Sequence, residues 1–440
     1  MATLSIIENP EKGDWKILLA RPADYSARLE MQVRKILDAV KIDGDKAVDE
    51  HSLLFDGIGF SGKPAEPVEF DEAEHSLDGK LKEAILQAVE NIAMFHRAQL
   101  TPEPVVETMP GVRCWRKAQA IEKVGLYIPG GTAPLFSTLL MLGVPAQIAG
   151  CSEVIVCTPP QKDGTIHPAI LYAAKVTGIT KVFRVGGVQA IAAMAYGTES
   201  IPSVYKIFGP GNQWVTEAKK LIQTEGIAID MPAGPSELAV LADDGAVPEF
   251  VAADLLSQCE HGPDSQVILV TDSRDFANRV NNALEKQIEK LPRKAVAEKS
   301  VAVSKIFLIS DIGTAMDLIN SYSPEHLILA CRDAEQIAGN VRNAGSVFIG
   351  PYAPESVGDY ASGTNHTLPT HGYARAYSGV SVDSFMKKIS YQQLTADGLE
   401  ALGQTVITMA LAEGLEAHAR AVEIRLKSMG AQTGRVNANG

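Results

Sequence analysis

A short apolar run closed by a glycine turn, GLYIPGG at residues 125–131, sets the pattern of this chain. Four residues of strand character precede a proline and two glycines, and a helical segment follows the turn. The same arrangement recurs at residues 153–156, 181–184 and 205–208. Strands that alternate with helices form right-handed βαβ units, so we predict a parallel sheet within residues 121–235.

A second series of strand-like runs occupies the next part of the chain. These runs lie at residues 237–241, 266–270, 304–308, 326–330 and 346–349. They predict a second α/β module, again with strands separated by helical segments. Two such modules are consistent with a duplication, although no repeat is visible residue by residue.

Helical periodicity marks both ends of the chain. Leu29, Val33, Ile36 and Val40 repeat at helical spacing, and the C-terminal tail shows the same period, with Gly414 expected to divide it into two helices. We therefore predict an α/β fold with two Rossmann-like parallel-sheet modules and helical N-terminal and C-terminal segments. The predicted segments are residues 1–25, an N-terminal arm that packs with the tail; 26–120, a helical lead-in joined to 236–380, the second α/β module; 121–235, the first α/β module; and 381–440, a helical tail expected to dimerise.

Charge and cysteine content restrict the kind of protein. The 440 residues carry a formal net charge of -13, which disfavours binding to nucleic acid or to anionic membranes. The five cysteines are odd in number and form no C-x-x-C pair. Reduced thiols in a cytoplasmic protein are therefore expected, without a disulfide framework.

One uncharged stretch invites a membrane interpretation. No charged residue occurs between Lys123 and Glu153, but three prolines and five glycines interrupt this stretch. A membrane-spanning helix needs about 20 predominantly apolar residues with few breaks. We therefore predict a buried strand, loop and helix here.

Three glycine turns are candidates for phosphate binding: PGGT at residues 129–132, GGVQ at residues 186–189 and GPGN at residues 209–212. Such turns let backbone N–H groups approach a phosphate at the start of a helix. None of them matches the G-x-G-x-x-G or the Walker pattern. Glycine also ends strands in any α/β fold, so the turns permit a nucleotide without showing one.

Glu325 and His326 form an acid–imidazole pair just before the predicted strand at residues 326–330. A histidine beside a carboxylate can handle protons near neutral pH. The alternative is a turn with both side chains in solvent. Sites in open α/β sheets usually lie beyond the carboxyl ends of strands, so a catalytic role requires the Ser323-Pro324 turn to direct the pair into a cleft.

Three other places hold polar residues that could bind a metal. Gln258 and His261 share a face near the end of a predicted helix, but glutamine is outside the usual zinc ligands, and a hydrogen-bonded helix end is the simpler interpretation. Asp359 lies in a long polar loop, which is either functional or a surface connection. Glu413 and His418 could converge only if the helix breaks at Gly414.

Together these segments closely resemble the histidinol dehydrogenase family, over about residues 20 to 428. Their order and length make the resemblance specific. Trp214, Cys259 and Pro263 depart from the motifs, at positions without a functional role in the family. The matching segments are residues 127–131, 209–212, 229–237, 254–266, 324–326, 354–370 and 412–418.

The resemblance implies an NAD-dependent enzyme with one Zn²⁺ per subunit, which oxidises L-histidinol to L-histidine through histidinal in two hydride transfers. This reaction is the last step of histidine biosynthesis. The family resemblance also implies an intertwined homodimer with shared active sites, in which the tail reaches the partner's site. The implied roles are zinc ligation by Gln258, His261, Asp359 and His418; catalysis by Glu325 and His326; substrate contact by Ser236, His366 and Glu413, together with His326 and the zinc ligands; and NAD contact by Tyr127, Gln189 and Asn212.

Two alternatives remain at this point. A family relative could oxidise a different amino alcohol or a sulfonated diol, although an anionic substrate would require a basic residue where the tail carries Glu413. A zinc hydrolase with Glu325 activating a metal-bound water belongs to a different class, and formation of NADH from histidinol distinguishes the two classes.

Overall fold

The computed structural model describes residues 3–22, 27–130, 134–232 and 234–436. The chain divides into two compact units. The first unit comprises Met1–Gln99 and Ile121–Phe385, and the second comprises Leu100–Ala120 and Met386–Gly440. Both predicted α/β modules belong to the first unit.

The N-terminal part of the chain is mostly helical. One strand precedes the helices, and two strands of the second unit follow them. In chain order these elements are β1 (Ser5–Glu8), α1 (Trp15–Leu18), α2 (Ala27–Asp43), α3 (Asp45–Phe55), α4 (Pro67–Ser76), α5 (Gly79–Arg97), β2 (Val106–Met109) and β3 (Val112–Ala120).

The first α/β module is a five-stranded parallel sheet in the order β6-β5-β4-β7-β8. The predicted parallel sheet is thus confirmed. Its central strand β4 is the first in sequence, so the chain winds outward first to one side and then to the other. The elements are β4 (Lys123–Tyr127), α6 (Phe136–Ala149), β5 (Glu153–Thr158), α7 (Pro168–Val176), β6 (Lys181–Arg184), α8 (Gly187–Tyr196), β7 (Lys206–Phe208), α9 (Gln213–Gln223) and β8 (Ala228–Ile229).

Helix α6 accounts for the uncharged stretch of the sequence. It spans 14 residues, contains Pro145 and is buried on nearly all sides, so it needs no polar face. It ends at Gly150, whose φ of 85° suits glycine. Across the described ranges, no helix combines the length and the apolar character needed to cross a membrane.

The second α/β module repeats this winding. Its sheet is also parallel, in the order β1-β11-β10-β9-β12-β13, and its central strand β9 is again the first of its own series. The elements are β9 (Glu237–Ala242), α10 (Pro248–Cys259), β10 (Gln266–Thr271), α11 (Arg274–Ile288), α12 (Lys294–Ala302), β11 (Lys305–Leu308), α13 (Ile312–Tyr322), β12 (His326–Ala330), α14 (Ala334–Ala338), β13 (Ser346–Ile349) and α15 (Glu355–Tyr360).

The N-terminal arm contributes an edge strand to this second sheet. Strand β1 pairs in parallel with β11, with Ser5 opposite Lys305 and Glu8 opposite Leu308. This pairing was not predicted, because a strand of four residues carries little periodicity. The proposed packing of the arm with the tail stays a prediction.

The helical lead-in packs against the first module, whereas we predicted that it joins the second. Leu29 and Val33 of α2 share one buried cluster with Phe183 of β6 and Ile191 of α8. The apolar stripe of α2 was visible in the sequence, but a stripe identifies a buried face without identifying its partner. Residues 106–109 and 112–120 are strands, which also departs from the predicted helical segment.

The second unit combines a small antiparallel sheet with two helices. The sheet order is β14-β3-β2, and β14 aligns Met386 with Ala120 and Leu394 with Val112. The predicted helical tail therefore begins with a strand. Gly414, with a φ of 73°, separates the two helices as predicted. These elements are β14 (Met386–Leu394), α16 (Ala396–Ala412) and α17 (Glu416–Val436).

Candidate functional site

A cavity of about 650 Å³ lies within the first unit, between the turns of the first sheet and the strand starts of the second. The turns Pro129 and Pro210–Asn212 follow the carboxyl ends of β4 and β7. Eight of the predicted site residues line this cavity: Asn212, Ser236, Gln258, His261, Glu325, His326, Asp359 and His366.

The acid–imidazole pair lies at the amino edge of the second sheet. His326 is the first residue of β12 and aligns with Leu238 of β9. Ser323 adopts a left-handed conformation with a φ of 54°, which ends α13 and turns the chain towards the cavity. The expectation that this turn directs the pair into a cleft is confirmed, and both side chains are more than 90% buried.

His326 lies between two carboxylates. Its Nδ1 atom is 3.6 Å from Glu325 Oε2, and its Nε2 atom is 3.3 Å from Asp359 Oδ1. Neither ring nitrogen makes a well-directed hydrogen bond within the described part of the chain. Burial lowers the pKa of His326, but the charges of Glu325, Asp359 and Glu355 outweigh it, so the pKa lies well above its ordinary value.

The Glu325 carboxylate is fixed by the start of a neighbouring strand. Its Oε2 atom accepts the backbone N–H of Glu237 at 2.9 Å. The Glu237 side chain in turn forms a bidentate ion pair with Arg21 and accepts the His371 N–H at 2.6 Å. Burial raises the pKa of Glu237 to about 6, although the Arg21 charge opposes this. A buried network therefore holds Glu325 in place.

A candidate metal centre adjoins the pair. Ligand atoms of His261, Glu355 and Asp359 all lie within 4.8 Å of one another. His261 follows the end of α10, whereas Glu355 and Asp359 occupy one face of α15 at a spacing of four residues. One imidazole and two carboxylates are ligands that Zn²⁺ accepts.

The Gln258 amide lies beside this cluster of candidate ligands. Its oxygen faces the Glu355 carboxylate, acceptor against acceptor, while its nitrogen lies 3.4 Å from Glu325 Oε2. A rotated amide, whose oxygen accepts the Glu237 N–H at 3.0 Å and whose nitrogen donates to Glu355, resolves this conflict without a cation. The fit to a metal therefore rests on the donor set of His261, Glu355 and Asp359.

The charge of the site also favours a cation. Burial raises the pKa of Glu355 well above its ordinary value; His326 counteracts this, whereas Asp359, Glu325 and Asp254 reinforce it. Buried carboxylates that repel one another take up protons or bind cations. Among the described residues that line the cavity there is no lysine or arginine.

His366 forms part of the wall beside Asp359. Its Nδ1 atom lies 2.8 Å from the Asp359 carbonyl oxygen, and its Nε2 atom lies 3.2 Å from Thr138 Oγ1. Burial lowers the pKa of His366, which keeps the ring neutral. Because the carbonyl oxygen only accepts, a neutral ring carries its proton on Nδ1, and Nε2 is left to accept a hydrogen bond from Thr138 or from a ligand.

Two predicted NAD contacts lie apart from the cavity lining. Tyr127 is buried at the end of β4, where burial raises its pKa to about 12, and its hydroxyl accepts the Gly187 N–H at 3.2 Å. Gln189 is 1% exposed, and neither polar atom of its amide has a hydrogen-bond partner in the described ranges. Such an unpartnered amide costs free energy unless a ligand or water reaches it.

Glu413 and His418 belong to the second unit. Glu413 is the C-cap of α16, and His418 lies in the first turn of α17, beyond the break at Gly414. Both side chains are exposed. The cavity described above is formed by residues of the first unit.

Three residues of the site escaped the sequence analysis. The E-x-x-x-D spacing of Glu355 and Asp359 was a usable signal for the former, because residues four apart share a helix face. Thr138 and Arg21 gave no signal. Each is distant in sequence from its partner, and only the tertiary fold brings them together.

Sequence and structure relate this chain to known proteins of one family. The family profile described as histidinol dehydrogenase matches residues 19–426. A histidinol dehydrogenase of Bacteroides fragilis is 54% identical over 97% of this chain and 100% of its own length. That of Escherichia coli is 49% identical over 94% and 95%. The crystal structure of histidinol dehydrogenase from Elizabethkingia anophelis superposes with a TM-score of 0.94 at 48% identity, covering 97% of this chain and 99% of the other.

Asp254 lies one turn before Gln258 on α10. It can be used to test whether burial disfavours a negative charge in this region. Burial raises its pKa to about 7, whereas an unfolded aspartate titrates near 4. The folded state is therefore favoured below about pH 4, and this contribution is lost as the pH rises through about 7. In metal-free protein, Asp254→Asn should raise the melting temperature at pH 8 by a few degrees and much less at pH 5. The same change at exposed Asp43 should have little effect at either pH; equal shifts for Asp254→Asn at both pH values would contradict the account.

Proposed function

The chain belongs to the histidinol dehydrogenase family, and on this premise we propose that it oxidises L-histidinol to L-histidine through histidinal, with NAD accepting two hydrides. This reaction is the last step of histidine biosynthesis. The observation that carries the proposal is the cavity itself. It places a buried acid–imidazole pair beside a cluster of candidate metal ligands.

Gln258, His261 and Asp359, with His418 supplied by a second copy of the chain, are the proposed zinc ligands. Zn²⁺ would supply an anchor for the imidazole and amine of histidinol, both of which are good zinc ligands when neutral. Glu355 lies close enough to complete or adjust the ligand set. Ser236 and His366 on the cavity wall, and Glu413 of the tail, are proposed substrate contacts.

His326 is proposed to take the proton of the alcohol at a ring nitrogen as hydride leaves for NAD. The charges of Glu325 and Asp359 hold the pKa of His326 high. A cation bound at Asp359 would offset one of these charges and so favour the neutral ring, which can act as a base. Its burial keeps solvent water from competing for the proton.

Glu325 is proposed to activate the water that attacks histidinal. Its Oε2 atom is held by the Glu237 N–H, and the ion pair with Arg21 keeps Glu237 from moving. A carboxylate fixed at one oxygen can accept a water proton at the other. The two carboxylates beside the His326 ring thus have different proposed roles: Glu325 activates water, and Asp359 binds the metal.

NAD is proposed to bind at the carboxyl edge of the first sheet. The turns after β4 and β7 meet there, at the point where the strand order reverses, which is where dinucleotides bind in such sheets. Asn212 lines the cavity at this place. Tyr127 and Gln189 are the other proposed contacts; the buried Gln189 amide has no hydrogen-bond partner in the described ranges.

A homodimer with shared sites is proposed for the assembly. The second unit carries Glu413 and His418, and this arrangement suits residues that act in the site of another copy. The five free cysteines suit the cytoplasmic location proposed for the protein.

The acidic lining of the cavity favours a cationic substrate such as histidinol over an anionic alcohol. Its described lining contains Asp264, Glu325 and Asp359 and lacks a basic side chain other than histidine. A sulfonated diol would meet repulsion there, whereas the cationic amine of histidinol is attracted.

The direct test is NADH formation by zinc-loaded protein given NAD with histidinol or with histidinal. We expect absorbance with both, and two NADH for each histidinol consumed. Zinc-loaded protein that forms no NADH with either compound would contradict the proposed function.

Replacing Glu325 tests the division of work between the pair. In Glu325→Gln, oxidation of histidinal should slow by about 100-fold or more, because the water loses its base, while oxidation of histidinol should lose less than about tenfold. Single-turnover kinetics of each half-reaction measures both. Asp264→Asn, a carboxylate elsewhere on the wall, is the control and should keep the wild-type ratio of the two rates. Equal losses in both half-reactions of Glu325→Gln would refute this assignment.

Mixed dimers test the shared site. His261→Asn and His418→Asn should each be inactive alone, since each removes a zinc ligand from both sites. Mixing and refolding the two should restore about a quarter of the wild-type activity, because half of the dimers are mixed and one of their two sites is intact. Mixtures that stay inactive, although mass spectrometry detects mixed dimers, would argue against a ligand supplied by the partner.

A further inference from the structure

A buried ion pair contacts the start of the turn that carries Asn212. Lys219 of α9 is 4% exposed, and its ammonium contacts the carboxylate of Asp230, which follows β8 and is equally buried. The same ammonium donates a hydrogen bond to the Gly209 carbonyl oxygen at 2.8 Å. Neither charged residue lines the cavity described above.

The pair closes around one residue, Gly209. Asp230 Oδ2 accepts the Gly209 N–H at 2.9 Å, and Asp230 Oδ1 accepts the Met231 N–H at 2.8 Å. Because Lys219 binds the carbonyl oxygen, both polar groups of Gly209 are held by one ion pair. Charged partners make such hydrogen bonds stronger than neutral ones.

Gly209 joins the two strands that border the crevice. It follows β7 directly, has a φ of 131°, and approaches the end of β4 so closely that a β-carbon would overlap the Tyr127 carbonyl oxygen. Only glycine permits this backbone and this approach. The ion pair therefore ties the residue after β7, which packs against the end of β4, to the end of β8.

The residues after Gly209 form the wall of the cavity. Pro210, Gly211 and Asn212 line it. Asn212 Oδ1 also accepts the N–H groups of Trp214 and Val215 at 3.0 and 3.2 Å, which caps α9. The turn is thus held at one end by the ion pair and at the other by the helix start.

Stability alone does not require charges here. Replacing a buried ion pair by apolar side chains of similar volume is often neutral or stabilising. We propose that Lys219 and Asp230 are positioning residues, which hold the turn at residues 209–212 in the geometry that binds NAD. The inference rests on the proposed function, because NAD is the ligand assigned to this edge.

Removing the ion pair should weaken the binding of NAD and leave the binding of histidinol unchanged. The turn belongs to the first sheet, whereas Ser236, His261 and Glu325 belong to the second module. A turn free to move should weaken NAD binding and leave the histidinol side of the cavity as it is. A merely structural role would lower the melting temperature without separating the two substrates.

The experiment replaces both charges in zinc-loaded protein, as Lys219→Met with Asp230→Leu. We expect the KM for NAD and the Kd for NADH, measured by fluorescence, to rise about tenfold, with kcat and the KM for histidinol within about twofold of wild type. Asp230→Asn keeps one acceptor for the Gly209 N–H and serves if the double variant does not fold; it should raise the KM for NAD by a smaller factor.

Lys305→Met is the matched control. Lys305 is a partly buried lysine that begins β11, in the second sheet instead of the first. This variant should leave the Kd for NADH unchanged. Equal rises in the KM for NAD and the KM for histidinol would overturn the inference. So would a Kd for NADH that is unchanged both in the double variant and in Asp230→Asn. In either case, activity of the wild-type protein would still support the proposed function. Wild-type protein that binds no NADH would overturn both the inference and the proposed function.

Discussion

The backbone N–H of Glu237 makes the hydrogen bond on which the site depends. It holds the Glu325 carboxylate at 2.9 Å, and the parallel pairing of β9 with β12 sets His326 beside it. The ion pair between Glu237 and Arg21 secures the strand start that supplies this N–H. With one carboxylate oxygen engaged and the imidazole buried, the pair can move protons without exchanging them freely with bulk water.

The two modules share a winding but use opposite edges of their sheets. In the first, the crevice at the carboxyl ends of β4 and β7 opens to the cavity. In the second, the corresponding crevice after β9 and β12 is spanned by Asp243, which accepts the Arg332 N–H at 3.0 Å and the Gly245 N–H at 2.9 Å. The second module therefore offers its amino edge, where Glu325 and His326 begin a strand. This arrangement explains why the pair departs from the usual position at carboxyl ends.

The sequence predicted the strands of both modules because their apolar runs are short, buried and bounded by glycine or proline. It did not predict which elements pack against each other. The apolar stripe of α2 predicted a helix but not the module that the helix contacts. The residues of β14 show no clear alternation of apolar and polar side chains, so this strand was not predicted. Glu325 and His326 were identifiable from residue type, whereas the support from Arg21 depends on contacts over 216 positions of sequence, which no local pattern reports. Gln258 needed the family resemblance, since glutamine is outside the usual zinc ligands.

In the proposed function, one cation held at the amino edge of the second sheet would anchor histidinol beside Glu325 and His326. The decisive measurement is anomalous diffraction at the zinc absorption edge, from crystals grown with zinc and histidinol. We expect a peak in contact with His261 and Asp359 and with the imidazole and amine of histidinol. A peak elsewhere, or histidinol bound in the cavity with no zinc beside it, would contradict this expectation.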